Sequence, residues 1–180
     1  PGGVGKKALR AADSSTAPKA YWSWSSMQGP NAEGFFPYTP ATNLLFGLAE
    51  AIVMLEEEGL ANVFARHQRL AAAARTAVTE WGLELLCANP QHYSSSLTAV
   101  KMPDGHDADA FRALTLERFN LSLGNGLSKL AGAVFRIGHL GDFNELMLLA
   151  TLSGVEMGLS AAGIPHRKGG VQAAMAELAL

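Results

Sequence analysis

The chain has a single cysteine, Cys87, among its 180 residues. An internal disulfide framework is therefore excluded, and a reducing, cytoplasmic setting is expected. Charge is also scarce, at 17% of residues, with 14 basic side chains against 16 acidic ones and a formal net charge of −2. A general nucleic-acid binder needs clustered Lys and Arg to displace counterions, so that class is set aside. No apolar run reaches the roughly 18–20 residues of a membrane-spanning helix. The longest candidate, Leu146 to Ala162, is interrupted by Thr151, Ser153, Glu156 and Ser160. Lys6, Lys7 and Arg10 are followed by no apolar stretch, so the beginning does not read as a secretory signal. Internal repeats of about 20–50 residues are missing too. The chain opens at Pro1 with no Met, and the expectation is a piece of something longer.

What is present is apolar. Hydrophobic residues make up 48% of the chain, enough for a packed core and too many for disorder. Residues 1–40 hold five of the eight prolines and the aromatic run Tyr21-Trp22-Ser23-Trp24, and read as ordered loops packed against a partner surface. From Thr42 the spacing of Leu44, Leu45, Leu48, Ile52 and Leu55 predicts a helix that stops at Gly59. A second helix is expected from an Asn62 cap to Trp81, with Val63, Phe64, Leu70, Ala74 and Val78 on its apolar face. Strands are predicted at Leu83–Cys87, Ser96–Met102, Leu121–Leu123 and Ala133–Gly138. Asp107 is read as the cap of a helix through Phe119, and Asp142 or Asn144 as the cap of a long helix to about Ala162. A last helix follows Gly169-Gly170. The sum is an α+β fold, helices on a small mixed or antiparallel sheet.

Few residues carry a chemical signal. Gly2-Gly3-Val4-Gly5-Lys6 lacks the earlier glycine of a phosphate loop, and Lys7 stands where Ser or Thr should hold Mg²⁺. The five histidines are scattered, with no His-x-x-x-His and no Cys-x-x-Cys, so no metal site is expected. Cys87, after Leu85-Leu86, reads as a buried structural thiol. Ser94-Ser95-Ser96 reads as a strand entry, and His166-Arg167-Lys168 as a solvated loop. The strongest signal is Arg136, inside Val134-Phe135-Arg136-Ile137-Gly138. A guanidinium in so apolar a strand must reach an edge or meet an anion, either a structural Glu or a ligand carboxylate.

Two blocks then carry a resemblance. PYTPATNLLFGLAEAIVMLEEEGLANVFARHQRLAAAARTAVTEWGLELL (Pro37–Leu86) resembles the carboxyl half of class V, fold-type I pyridoxal-phosphate aminotransferases. FRIGHLGDFNELMLLATLSGVEMGLSAAGIPHRKGGVQAA (Phe135–Ala174) narrows the likeness to the serine–glyoxylate and alanine–glyoxylate group. The resemblance implies a homodimer using pyridoxal 5'-phosphate to move an amino group from serine, or alanine, to glyoxylate. It implies that residues 1–58 end the large cofactor domain and that 59–180 form the C-terminal small domain. It gives Arg136 to the substrate carboxylate and Thr39 to the cofactor phosphate of the other subunit. Phe36 stands where some relatives carry a second phosphate contact, a tyrosine, and Tyr38 is the neighbour to replace it. No catalytic residue is assigned. The Schiff-base lysine of the family lies just before a Pro-Pro-Gly segment that Pro1-Gly2 would end, so the chain alone is expected to be inactive. The alternatives are a non-catalytic interaction or regulatory module with a transaminase shape, and a cysteine desulfurase, which would need Cys87 on a reactive loop.

Overall fold

The computed structural model describes residues 3–179, so Pro1-Gly2 and any reading of them lie outside it. The chain forms two compact units, residues 1–54 and 55–180.

The first unit is not the run of loops expected from its Gly and Pro content. Helix α1 spans Lys6–Ser14, and its first seven residues are Lys, Ala, Leu and Arg, all good helix formers. Helix α2 spans Trp24–Ala32, with the Ser23 hydroxyl accepting from the Ser26 amide at its start. Pro30 lies inside α2 without an N–H to donate, and Gly34, at φ 83°, follows its end. Local composition argued for loop here, and a capped helix formed around the proline instead. Tyr21 stacks on Tyr38 at 4.9 Å between ring centroids. None of the described residues of this unit is buried.

Helix α3 (Thr42–Glu58) begins in the first unit and ends in the second. Gly59, at φ 81°, breaks it from helix α4 (Leu60–Glu80). The N-cap of α4 is Gly59 rather than the expected Asn62, whose side-chain amide donates to the Glu58 carbonyl. Val63, Leu70, Ala74 and Val78 are buried as the spacing required, whereas Phe64 is 61% exposed. After α4 come strand β1 (Glu84–Leu85), strand β2 (Leu97–Lys101) and helix α5 (Ala108–Phe119). Asp107 caps α5, accepting from the Asp109 and Ala110 amides. Strand β3 lies at Gly124–Asn125, one residue past the expected Leu121–Leu123. Strand β4 is Val134–Gly138. Asn144, not Asp142, caps helix α6 (Glu145–Ala161), and helix α7 is Gly170–Leu178.

The sheet is wholly antiparallel, in the order β1-β2-β4-β3. One face holds Val100, Phe135 and Ile137, all at 0% exposure, against Leu70, Ala74 and Val78 of α4, Phe111 of α5 and Leu148, Leu152 and Val155 of α6. Helices α5 and α6 close to glycine distance. A Cβ at Gly158 would lie 2.5 Å from Thr115 Cγ2, and one at Gly154 would lie 2.8 Å from Leu121 Cδ2.

A polar knot fixes α7 to this core. Glu156 accepts from the Trp81 indole N–H at 2.7 Å, from the Gly169 amide at 3.0 Å and from the Val171 amide at 3.2 Å. Burial alone would raise the Glu156 carboxyl. The bond from Trp81, with those from Gly169 and Val171, outweighs that and lowers it. Arg167 donates to the Thr79 and Glu80 carbonyls and so ends α4, a role beyond the solvated loop expected of it. Cys87 is partly exposed rather than buried, its thiol directed at the Asn89 carbonyl at 3.5 Å.

Candidate functional site

Strand β4 alternates as its sequence demands. Phe135 and Ile137 point into the helices, so Arg136 must point to the other face. Ala99 of β2 and Gly124 of β3 are its register partners on either side. Lys101 shares this face and pairs with Glu84 across β1 and β2. The guanidinium lies close over β3, because a Cβ built on Gly124 would stand 3.0 Å from both Cβ and Nε of Arg136.

Among the described residues, Arg136 pairs with no carboxylate, and none of the four ion pairs includes it. Its Nε is sealed from solvent and has no hydrogen-bond partner. A buried N–H without a partner loses about 1–3 kcal/mol. Of the two anions the sequence left open, the structural glutamate is absent, and a donor remains unsatisfied in the middle of the sheet.

The segment following β4 is held by residues that sequence reading did not single out. Arg66 forms a two-pronged pair with Glu58, at 2.7 and 2.8 Å, and its other arm donates to the Gly141 and Phe143 carbonyls. The bond from Arg66 holds the Glu58 carboxyl below its ordinary range, and the bond to Glu58 raises Arg66. His67 Nδ1 faces the Val63 carbonyl at 2.8 Å, and its Nε2 accepts from the Gly141 amide at 3.1 Å. His139, at 0% exposure, directs Nδ1 to the Ser95 carbonyl and Nε2 to the Thr98 hydroxyl. Burial, aided by the nearby Arg75 charge, pushes His139 below its ordinary value. The signal for these roles was weak, since each depends on a partner about 40–75 residues away.

A cavity of about 360 Å³ is lined by Leu97, Thr98 and Ala99 of β2 with Arg75, Cys87 and Tyr93. The Arg75 guanidinium sits 4.9 Å from the centre of the Tyr93 ring. Thr39 belongs to the first unit. It lines a separate cleft of about 720 Å³ there with Trp24, Met27, Phe36 and Tyr38, and its side chain is exposed. The Tyr38 hydroxyl donates to the Ala20 carbonyl at 3.4 Å while its ring stacks on Tyr21, so its direction is already committed. Thr39 and Arg136 thus occupy different units.

No protein-family model matches the chain. Over 97% of its length it is 44% identical to the serine–glyoxylate aminotransferase of Methylorubrum extorquens, and over 96% it is 39% identical to the L-aspartate–glyoxylate aminotransferase of Paracoccus denitrificans. These matches cover 45% and 44% of the two relatives, so the chain spans a little under half of their length. The crystal structure of the pyridoxamine–pyruvate aminotransferase of Mesorhizobium loti superposes on 98% of the chain with a TM-score of 0.86 at 30% identity, using 46% of that enzyme. By sequence along nearly all of its length, and by fold, the chain belongs to the class V, fold-type I aminotransferases.

Proposed function

We propose that the protein carrying this segment transfers an amino group from serine, or alanine, to glyoxylate, and that Arg136 binds the carboxylate of both. The observation that supports this most is the unpartnered, buried Nε of Arg136. Serine, alanine and glyoxylate share only the carboxylate beside the reacting carbon, and a planar guanidinium fork recognises that group by two parallel hydrogen bonds. Serine as donor is favoured by the likeness to the Methylorubrum extorquens enzyme.

The family implies pyridoxal 5'-phosphate, which supplies the electron sink for the amino acid's α-carbon when bound. The residues present fit part of its cradle. The exposed Thr39 hydroxyl is a donor suited to a phosphate oxygen of the partner subunit's cofactor in a homodimer. Phe36 has no hydroxyl to add, and that of Tyr38 is donated to Ala20. The chain's share of the reaction is therefore positional: Arg136 orients the substrate, and Thr39 holds the phosphate. Under this reading, residues up to about 58 complete the cofactor domain and 59–180 are the small domain. The partly exposed Cys87 thiol suits a cytoplasmic enzyme.

The test is Arg136→Lys in the full-length protein. Replacing a fork by a point charge raises KM for serine and glyoxylate about ten-fold or more, with a smaller effect on kcat. Unchanged KM values for both substrates would refute the assignment.

A further inference from the structure

We propose that Gly124 is a positioning residue for Arg136: its bare backbone lets the guanidinium lie along β3 in the direction from which the fork meets a carboxylate. The inference rests on the reading of Arg136 as the carboxylate anchor and concerns what aims it.

Gly124, on the edge strand β3, and Arg136, on the inner strand β4, are direct register partners. Opposed Cβ atoms on antiparallel strands ordinarily stand about 4.5–5.5 Å apart. A Cβ at Gly124 would stand only 3.0 Å from Arg136 Cβ, 3.0 Å from its Nε and 3.5 Å from its Cζ. The Arg136 Cβ cannot retreat, because β4 is paired on both sides, with β2 at Ala99 and β3 at Gly124. Its neighbours Phe135 and Ile137 are locked in the core at 0% exposure. The Cβ contact is relieved only by a small shift of the edge strand β3, and the Nε contact by a turn of the guanidinium, the freer of the two groups, so a side chain at 124 turns the fork.

Gly124 is not among the glycines with positive φ, so its lack of a side chain is not needed for a turn. It is also the position over which the one sealed and unpaired side-chain nitrogen among the described residues lies. Nε is held against the strand, sealed from solvent. A fork that binds by two parallel bonds tolerates little rotation, since a turn that keeps one bond breaks the other.

The experiment compares the full-length protein with its Gly124→Ala, Arg136→Ala and doubly substituted variants. Gly124→Ala is expected to raise KM for both the amino donor and glyoxylate about ten-fold while leaving kcat within about two-fold. In the Arg136→Ala background the same change is expected to have no further effect, because the group it misdirects is gone. A second readout needs no cofactor. The Arg136 Nε–H NMR signal should shift on titration with propionate in wild type, and only at about ten-fold higher propionate in Gly124→Ala. If Arg136→Ala raises KM and Gly124→Ala does not, the positioning role is wrong and the anchor stands. If Arg136→Ala itself leaves KM unchanged, the anchor and this inference fall together. An equal effect of Gly124→Ala in both backgrounds, or failure of that variant to fold, assigns the glycine to the frame of the sheet and overturns the proposal.

Discussion

At the scale of single residues, His139 has consequences that can be measured apart from catalysis. It is fully buried between Ser95 and Thr98 and is held neutral, first by burial and then by the Arg75 charge. Its folded-state value lies below the ordinary 6.5, so between the two values the unfolded chain binds more protons than the folded one. Stability therefore falls as pH drops through about 6.5, and the loss is complete once the folded value is passed. Urea unfolding at stepped pH should show this slope, and His139→Gln should flatten it. An unaltered slope in that variant would assign the pH dependence to other groups.

At the scale of elements, α7 is a short helix whose docking depends on the polar knot at its start. Gly170 lies against the indole nitrogen of Trp81, and a Cβ there would overlap the ring. Trp81 is 1% exposed and has no room to withdraw. Gly170→Ala is expected to cost about 1–3 kcal/mol through overpacking. Glu156→Ala is expected to cost about 2–3 kcal/mol, because the indole and two helix-start amides lose their acceptor together. Chemical denaturation reads both, and a loss below about 0.5 kcal/mol in either would mean that α7 is held by its apolar face alone. The same logic separates α2 from α7. Helix α2 is held by its Ser23 cap and carries no buried residue, whereas α7 buries Gly170 and Ala174 against the core.

At the scale of the whole molecule, burial is distributed very unevenly. All described buried residues belong to the second unit, while α3 exposes Leu44, Phe46 and Ile52 at 75%, 74% and 46%. A helix apolar on all sides is one that a complete protein covers. The two residues proposed to touch substrate and cofactor are also divided between the units. The 180-residue chain mixed with serine, glyoxylate and pyridoxal phosphate is therefore expected to show no amino transfer, although its Trp81 core gives a folded near-ultraviolet signal. Turnover by this chain alone would refute the expectation.

Much of this was legible from local pattern. Periodicity located α3 to α7 within a few residues, because their apolar spacing follows the helix period and their ends carry glycines or capping side chains. The isolation of Arg136 in an apolar strand was visible for the same reason: a charge stands out where alternation leaves it no polar neighbour. The residue pattern supplied the α+β class, the antiparallel option and Arg136 as a charge in need of an anion, and the family resemblance supplied its role as an anchor. Tertiary structure decided which option held. It showed that no glutamate reaches Arg136, that Gly124 lies beneath its guanidinium, and that Arg66, His67 and His139 hold the segment beyond β4. It also turned a Gly- and Pro-bearing stretch into α2. These facts depend on contacts between residues far apart in the chain. A sequence read locally states what each residue can do, and only the packed sheet states what each one faces.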